Sequence, residues 1–329
     1  MTGLLLFLAA GNFFSSAFQD TTHKPDFYWG ANGHPIYQEA YFNNLPLQFA
    51  ALRRAGLSFY RVDMAAREDG TIPPAVNDRF YRLLKMAVDS SVTLIPVLPL
   101  VSTDTLYTLT ADTAYQRGLA TGRGFAAAYG KYFSYYELGN EDDLKVMIQP
   151  AGDGSEVYHY DLDKLKILAA CLRGMSQGIR EVNSQAGIII SNGGWRHYMY
   201  FDLLEKEGVV WNIIGYHWYE DAKNLRPVLR VLRSWYPDKR VWFTEINSRS
   251  EGMEQNAHQL RMLQKDIKAI QRLGSTVDAL FFYELLDEPA TAPREAHYGI
   301  YSWDRRYDSV LPKPMLEVIR KVRSEWISH

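Results

Sequence analysis

The sequence predicts an α/β fold, a single (β/α)8 barrel of the TIM type, and three observations support this prediction. Eight apolar strand-like segments alternate strictly with eight helical segments along 329 residues, which is the order that builds such a barrel. The segment from Val92 to Leu100 is apolar almost throughout, as expected of a parallel strand buried on both faces. No Gly-x-Gly-x-x-Gly or phosphate-binding loop follows any strand, so the alternative, a doubly wound open sheet, is disfavoured.

The first half of the chain supplies four predicted strand–helix pairs. The first helix carries Leu47, Ala50, Ala51 and Leu52 on one face and ends at Gly56, which is the apolar spacing and stop signal of a helix. In the fourth helix Asp161 or Asp163 is a suitable N-cap. The predicted strands are 27–32, 57–64, 92–100 and 135–141, and the helices that follow them are 41–55, 80–90, 111–130 and 161–182.

The second half repeats the pattern. Its strands are predicted at 187–194, 210–219, 241–247 and 277–284, and its helices at 197–207, 225–235, 256–273 and 313–326. The helix at 256–273 is amphipathic and is closed by Gly274. Since no linker, low-complexity tract or solenoid repeat interrupts the alternation, one domain is expected.

Composition restricts the classes of partner. The hydrophobic content of 47% is enough for a large core, and the net charge of −2 argues against a nucleic-acid or anionic-membrane surface. Aromatic residues make up 14% of the chain, with 22 Tyr and 8 Trp, which suits a cleft that stacks sugar rings. The single Cys171 excludes an intramolecular disulfide and is expected to be a buried core thiol.

The N-terminus resembles a secretory signal. An apolar run from Leu4 to Ala10 precedes the small residues Ser15, Ser16 and Ala17, which predicts cleavage after Ala17 and a secreted or periplasmic protein. We assign residues 1–19 to this signal and 20–329 to the barrel. The run is too short to span a bilayer, and no basic residue precedes it, so a buried N-terminal segment is the alternative.

Two facing strands of the predicted barrel carry a glutamate at or near their ends. Strand four ends in Glu141 and Glu245 lies near the end of strand seven, and active sites of such barrels lie at the C-terminal ends of the strands. Strands four and seven face each other across a barrel, so the two side chains are expected to converge. A pair of carboxylates in this arrangement suits glycoside hydrolysis, with one protonated and one ionised. The alternative is that both are salt-bridged structural groups.

Other polar and aromatic residues at the predicted strand ends are candidates for substrate binding. Each has a structural alternative: Arg61 can pair with Asp63, His217 can be a hydrogen-bonded core histidine, and the tryptophans can be core residues. Glu284, Asp287 and Glu288 are expected in a loop, either solvated or in contact with outlying sugars. The substrate-binding candidates are Asn140, Arg61, His34, Asn192, Trp195, His217, Trp218, Tyr219, Tyr283 and Trp303.

The string from Tyr136 to Glu141, YELGNE, together with Trp242-Phe243-Thr244-Glu245, resembles clan A of the retaining (β/α)8 glycoside hydrolases. It is most similar to the arabinofuranosidase, β-xylosidase and β-glucuronidase branches, and the stretches 297–300 and 311–314 resemble the region after their strand eight. The resemblance implies that Glu141 is the acid/base and Glu245 the nucleophile. It also implies that Asn140 binds the sugar 2-hydroxyl, that Tyr219 or His217 orients Glu245, and that Arg61 keeps Glu245 ionised.

Two features depart from the clan's pattern. Asp142 and Asp143 follow Glu141 where many members carry Pro; they are expected to raise the pKa of Glu141, to bind a cation, or to form a solvated turn or helix cap. Strand eight ends in Tyr283-Glu284 where many members present Trp as the sugar platform. The identity of the sugar is therefore open.

The resulting functional hypothesis is a retaining glycosidase that acts on a poly- or oligosaccharide without a cofactor. No His or Cys cluster has metal-ligand spacing, so no metal is expected. One rival is a non-catalytic sugar-binding barrel. Another is a barrel aldolase or isomerase, which is disfavoured because no predicted strand end carries Lys. The sequence leaves open the linkage, endo or exo action, and the oligomeric state.

Overall fold

The computed structural model describes residues 27–100, 103–148, 152–247, 257–272, 277–287, 296–304 and 309–327. Eight parallel strands close into a barrel in chain order, and the eighth pairs with the first. The predicted (β/α)8 fold is therefore confirmed. The predicted signal at residues 1–19 lies outside the described residues.

The barrel strands form at the predicted places; β1 and β7 have the predicted length and are shifted by one residue, and the other six are shorter. They are β1 (Tyr28–Gly33), β2 (Phe59–Asp63), β3 (Thr93–Leu98), β4 (Tyr135–Leu138), β5 (Gly187–Asn192), β6 (Ile213–Trp218), β7 (Arg240–Ile246) and β8 (Val277–Phe282). A hairpin of β9 (Tyr301–Asp304) and β10 (Ser309–Pro312) follows the barrel. The fourth strand stops at Leu138 rather than Glu141, because Gly139 turns the chain with φ of 71°.

The helices are α1 (Glu39–Phe42), α2 (Leu45–Ala55), α3 (Asn77–Ser90), α4 (Thr103–Leu106), α5 (Ala111–Tyr129), α6 (Leu162–Val182), α7 (Tyr198–Lys206), α8 (Ala222–Trp235), α9 (Ala257–Arg272) and α10 (Met315–Ile327). The helix predicted at 41–55 is two helices, since a break at Asn43 and Asn44 precedes Pro46 in the first turn of α2. Asp161 caps α6 by accepting from the Lys164 N–H.

Helices α5 and α6 pack unusually closely. A Cβ added to Gly118 would lie 2.1 Å from the Cys171 carbonyl oxygen, and one added to Gly174 would lie 2.1 Å from the Tyr115 carbonyl oxygen. Cys171 is buried there, as expected of a core thiol. Within the described part of the chain, none of the helices has the length and apolarity to cross a bilayer.

The barrel interior is divided along its axis. Its lower part is an apolar layer of Phe59, Ile95, Ile189, Ile213, Trp242, Ala279 and Phe281. Successive residues of a strand point to opposite faces, so two residues beyond Phe59 the same face carries Arg61, and two beyond Tyr135 it carries Glu137. Above the apolar layer the interior is therefore charged and hydrogen-bonded.

Candidate active site

Glu245 reaches the barrel interior because β7 contains an irregularity. Gly215 of β6 pairs with Trp242 and His217 pairs with Glu245, so two residues of β6 oppose three of β7. One additional residue in β7 is the signature of a β-bulge, which redirects the side chains that follow. Glu245 is only 6% exposed, and it faces the same interior as Trp242 of the apolar layer.

Three groups surround the Glu245 carboxylate. Arg61 Nη1 donates to Oε1 at 2.8 Å, and the Tyr219 hydroxyl donates to Oε2 at 2.6 Å. The Nδ1 atom of His217 lies 3.4 Å from Oε2. Both carboxylate oxygens are thus engaged by donors, which fixes the orientation of the group and favours its ionised form.

Arg61 connects this carboxylate to the rest of the interior. Its Nε and Nη2 donate to the two oxygens of Glu137 at 2.6 Å each, a bidentate pair that is fully buried. It also donates to Asn32 at 2.7 Å and to the Asn140 Oδ1 atom at 2.5 Å. The alternative pairing of Arg61 with Asp63 is wrong, because the Asp63 carboxylate accepts from His34 instead.

Glu141 stands at the mouth, three residues beyond β4. Its backbone is left-handed with φ of 50°, a conformation that non-glycine residues adopt mainly where the surroundings impose it. A Cβ on Gly139 would lie 1.6 Å from an Asp142 oxygen, so this turn requires glycine. The side chain of Glu141 is 30% exposed and lies 2.7 Å from His217 Nδ1.

The two candidate catalytic carboxylates converge as expected. An oxygen of Glu141, a ring nitrogen of His217 and an oxygen of Glu245 all lie within 4.8 Å of one another. Inverting glycosidases separate their carboxyl groups by about 6.5–9.5 Å to admit water, whereas retaining ones hold them about 5–5.5 Å apart. The observed spacing falls on the short side of that division.

The three groups also determine each other's charge. Burial raises the pKa of Glu245, and the negative charge of Glu141 raises it further. The positive charges of His217 and Arg61 lower it, but they do not cancel the increase. Burial would also raise the pKa of Glu141, but the His217 hydrogen bond and the nearby positive charges outweigh it and lower that pKa. Burial would lower the pKa of His217, yet the two carboxylates raise it. An acid needs a raised pKa and a nucleophile a lowered one, so the pKa shifts of Glu141 and Glu245 are opposite to those expected for these two roles. Groups this close titrate as one unit, and the distribution of protons between the two carboxylates depends on whether His217 is protonated.

Asp142 and Asp143 do not form a solvated turn. Both are buried. Lys145 donates to Asp142 at 2.5 Å, while Asp143 accepts from the Gly193 N–H at 2.9 Å and contacts His197 at 2.5 Å. Burial, with Asp143 and Glu137 adding to it, raises the pKa of Asp142 to about 6 despite Lys145. Asp143 therefore holds the loop after β4 against the segment between β5 and α7.

His34 and Tyr283 lie at the edge of the site. Nδ1 of His34 contacts Asp63, and its Nε2 lies 3.7 Å from Glu284. Glu284 is fully buried and accepts from Tyr41 at 2.5 Å, so the expectation of a loop carboxylate in contact with solvent is wrong for it. The Tyr283 ring lies 6.1 Å from that of His34 and 6.3 Å from that of Tyr219.

Four predicted binding residues lie outside this network. Trp218 is fully buried and packs against Phe243, so it offers no face for stacking and its assignment as a binding residue is corrected. Asn192 is fully buried and donates to the Gly194 carbonyl at 2.8 Å. Trp195 is partly buried with Arg196 5.5 Å above its ring, and Trp303 is partly buried in β9.

Among the described residues, Glu141, His217 and Glu245 are also the group whose ligand atoms are close enough to hold a metal ion. Spacing along the sequence does not reveal this set, since the three come from β4, β6 and β7. The Arg61 guanidinium is bonded directly to Glu245, and its fixed positive charge opposes a cation at this position. The arrangement is better suited to proton transfer and nucleophilic attack.

Sequence reasoning missed Glu137, the bidentate partner of Arg61. The signal was a charged residue inside each of two mainly apolar strands, Arg61 in β2 and Glu137 in β4. Buried charges are nearly always paired, so these two opposite charges were candidates for each other. Strand β3 lies between their strands, and only a closed barrel brings them together.

Comparison with known proteins finds similar structures but no similar sequence. No protein-family model and no curated protein matches the sequence. A β-glucosidase from Thermotoga maritima superimposes with a TM-score of 0.69 at 13% identity, covering 91% of this chain and 98% of that one. A GH1 β-glucosidase from Exiguobacterium antarcticum B7 gives 0.67 at 11% identity, covering 92% and 98%. At such identities the similarity establishes the fold: this chain has the (β/α)8 barrel of those β-glucosidases.

Proposed function

We propose that this protein is a retaining glycoside hydrolase in which Glu245 is the nucleophile and Glu141 the acid/base. The observation that carries the proposal is the approach of the two carboxylates within 4.8 Å at the C-terminal ends of β4 and β7. Their different surroundings support the division of roles. Glu245 is buried and held by two donors, whereas Glu141 is more exposed at the mouth, where a leaving group departs.

In this mechanism Glu245 attacks the anomeric carbon while Glu141 gives its proton to the departing oxygen. Glu141 then removes a proton from water, and the water releases the sugar from the glycosyl-enzyme. Arg61 and Tyr219 keep the attacking oxygen in place, and Asn140 is positioned by Arg61 to bind the sugar 2-hydroxyl, as in clan A.

The substrate we propose is a poly- or oligosaccharide, and the arabinofuranosidase, β-xylosidase and β-glucuronidase branches of the clan are the expected activities. The β-glucosidase activity in the names of the structural relatives is added to this set. Export to the periplasm or medium is proposed from the N-terminal sequence. The rival proposal is a sugar-binding barrel without turnover.

Trapping the covalent intermediate tests the mechanism on several candidate sugars at once. The protein is incubated with activated 2-deoxy-2-fluoro glycosides of glucose, xylose, arabinofuranose and glucuronic acid, and its intact mass is measured. One sugar should add its mass to the protein, and peptide mapping should place it on Glu245. The Glu245→Gln variant should not be labelled, while Glu220→Gln, which removes another carboxyl group near the end of β6, should be.

The acid/base role is tested separately with Glu141→Ala. Hydrolysis of natural glycosides should fall by roughly 10²- to 10⁴-fold, and azide should restore turnover of an aryl glycoside with an activated leaving group. A label on another residue, or hydrolysis that is unaffected by both substitutions, would contradict the proposed site. Sugar binding without any label or turnover would favour the non-catalytic barrel.

A further inference from the structure

A cavity of about 390 Å³ lies beside Asn140, where β2, β3 and β4 end. Its volume is within the range of small-molecule sites, about 300–1,000 Å³. Part of its wall is apolar and is formed by Met64, Val97 and Leu100. Of the roles proposed above, only the binding of the sugar 2-hydroxyl by Asn140 involves this cavity, and Asn140 connects it directly to the reaction centre.

Asn140 presents its amide donors away from Arg61. Its Oδ1 atom accepts from Arg61 Nη2 at 2.5 Å, which assigns the oxygen to the arginine and leaves the NH₂ group directed elsewhere. Asn140 is exposed and lines the cavity. Since Arg61 is itself held by Glu137 and Glu245, the amide is a positioned donor at the entrance from the site.

Asp63 supplies an acceptor in the same cavity. One carboxylate oxygen, Oδ2, contacts His34, and the side chain is 37% exposed. Burial would raise the pKa of Asp63, but the bond and charge of His34, with Arg61, outweigh it and lower that pKa, so the carboxylate is ionised at neutral pH. An ionised carboxylate accepts hydrogen bonds and donates none, which matches the hydroxyl groups of a sugar.

The charged groups described in the cavity wall leave it with a net negative charge. Its lysine, Lys145, is bonded to the Asp142 carboxylate at 2.5 Å, so this pair contributes little net charge. Asp63 adds an anion to the wall. A ligand that carries a carboxylate or sulfate here would meet like charge in a partly dry site, which is unfavourable.

We propose that this cavity is a subsite for a neutral sugar, in which Asn140 donates to one ring hydroxyl, Asp63 accepts from a neighbouring one, and anionic sugars are rejected. Tyr37, 54% exposed at the rim, provides an aromatic face for the ring. Asp63 is the specificity-determining residue. This inference deepens the proposed function and rests on it, and it favours the neutral-sugar branches over the glucuronidase branch.

Binding measured in the Glu245→Gln background tests the subsite without turnover. The probes are methyl β-glucoside, methyl β-xyloside, methyl α-L-arabinofuranoside and methyl β-glucuronide, titrated by calorimetry or ligand-observed NMR at neutral pH. At least one neutral probe should bind, and the glucuronide should bind at least about 10-fold more weakly. Adding Asp63→Asn should weaken the neutral probe by roughly 10- to 100-fold and reduce the discrimination against the glucuronide.

A deoxy analogue separates a direct contact from a general disturbance. The analogue of the tightest neutral probe without the 3-hydroxyl should bind weakly to both proteins, with little further loss in Asp63→Asn. The matched control Asp89→Asn removes an exposed helix carboxylate and should change neither affinity.

Three results would overturn the subsite: no neutral probe binding at about 50 mM, equal or tighter binding of the glucuronide, or equal losses for the hydroxyl and deoxy probes in Asp63→Asn. The outcome is independent of catalysis. Asp63-dependent binding without a trapped intermediate would support the subsite and reject the hydrolase, whereas a label on Glu245 with binding indifferent to Asp63 would do the reverse.

Discussion

Two layers of the same barrel interior differ sharply in chemistry. The apolar layer around Phe59 and Phe281 consists of aliphatic and aromatic side chains, with Tyr28 and Tyr135 packed against it. One step higher on the same strands is a polar layer of Asn32, Arg61, Glu137, His217 and Glu245, all of them 6% exposed or less. Between the two layers the register of β6 and β7 shifts by one residue, and this irregularity brings Glu245 into the polar layer.

The comparison separates the residues that stabilise this fold from those that form the candidate active site. Burying apolar side chains is favourable by about 25 cal/mol per Å², whereas buried ion pairs often contribute little net stability. The polar layer must therefore be maintained for another reason. We infer that the apolar layer supports the polar one, which holds Glu245 ready to react.

Arg61→Met should give the largest effect because it disturbs both the stability of the fold and the proposed reaction. Glu137 is left buried without its partner, so the free energy of unfolding should fall by roughly 3–5 kcal/mol. Activity on the glycoside found by trapping should fall by roughly 10- to 10³-fold, since Glu245 loses a charge that lowers its pKa. Urea unfolding and kcat/KM measure the two effects.

The second variant, Arg61→Met with Glu137→Leu, tests whether the ion pair contributes to stability or to activity. Replacing both charges should recover much of the stability but none of the activity. Arg53→Met, an exposed arginine on α2, is the control and should change neither. If the double variant recovered activity as well, the polar layer would not serve the reaction.

Phe281→Ala tests whether the apolar layer contributes to stability but not to the proposed reaction. The side chain is fully buried, so the unfolding free energy should fall by about 3–5 kcal/mol through lost burial and a cavity. The folded fraction should keep a kcat close to that of the parent below its unfolding temperature. A kcat that fell as far as in Arg61→Met would remove the distinction between the layers.

His217→Asn should shift the pH profile of kcat/KM. Glu141 must be protonated to act as an acid, and the hydrogen bond and charge of His217 lower its pKa. Without them that pKa rises, so the alkaline limb of the profile should move to higher pH. His159→Asn, on the loop with Asp153, should leave the limb in place, and an unmoved limb in His217→Asn would reject this coupling.

Asp266→Asn should have the smallest effect on catalysis and should instead change how stability depends on pH. Asp266 is a buried carboxyl without an ion-pair partner in the described structure. Burial, with the charge of Asp221 adding to it, raises the pKa of Asp266 to about 7, and Trp218 offsets this only in part. The folded state therefore keeps a proton that the unfolded state releases near the ordinary aspartate pKa of 3.8.

Stability should consequently fall as pH rises between these two pKa values, by at most roughly 1.4 kcal/mol per pH unit from this group. Asp266→Asn should match the parent below the window and exceed it above pH 7, as measured by urea unfolding across pH. Parallel curves for the two proteins would contradict the assignment. The comparison with Glu137 then separates a buried carboxylate that is paired from one that stays protonated.

The sequence by itself determined the architecture and the positions of the two glutamates. Strand and helix periods, Gly stops and N-caps are local signals, and they predicted eight strand–helix units whose fourth and seventh strands lead to Glu141 and Glu245. It also indicated that Arg61 and Tyr219 belong to the site, since the register of its own strand places each of them near that strand's C-terminal end.

Only the tertiary structure decided which of these groups touch. Three such features depend on how separate strands meet in the barrel: the pairing of Arg61 with Glu137, the additional residue in β7 that turns Glu245 inward, and the contact of His34 with Asp63. Likewise, Trp218 is buried while its neighbours His217 and Tyr219 contact the carboxylates. Local patterns carry no information on such contacts, because they depend on the closure of the barrel and on bulges that shift which face a side chain occupies.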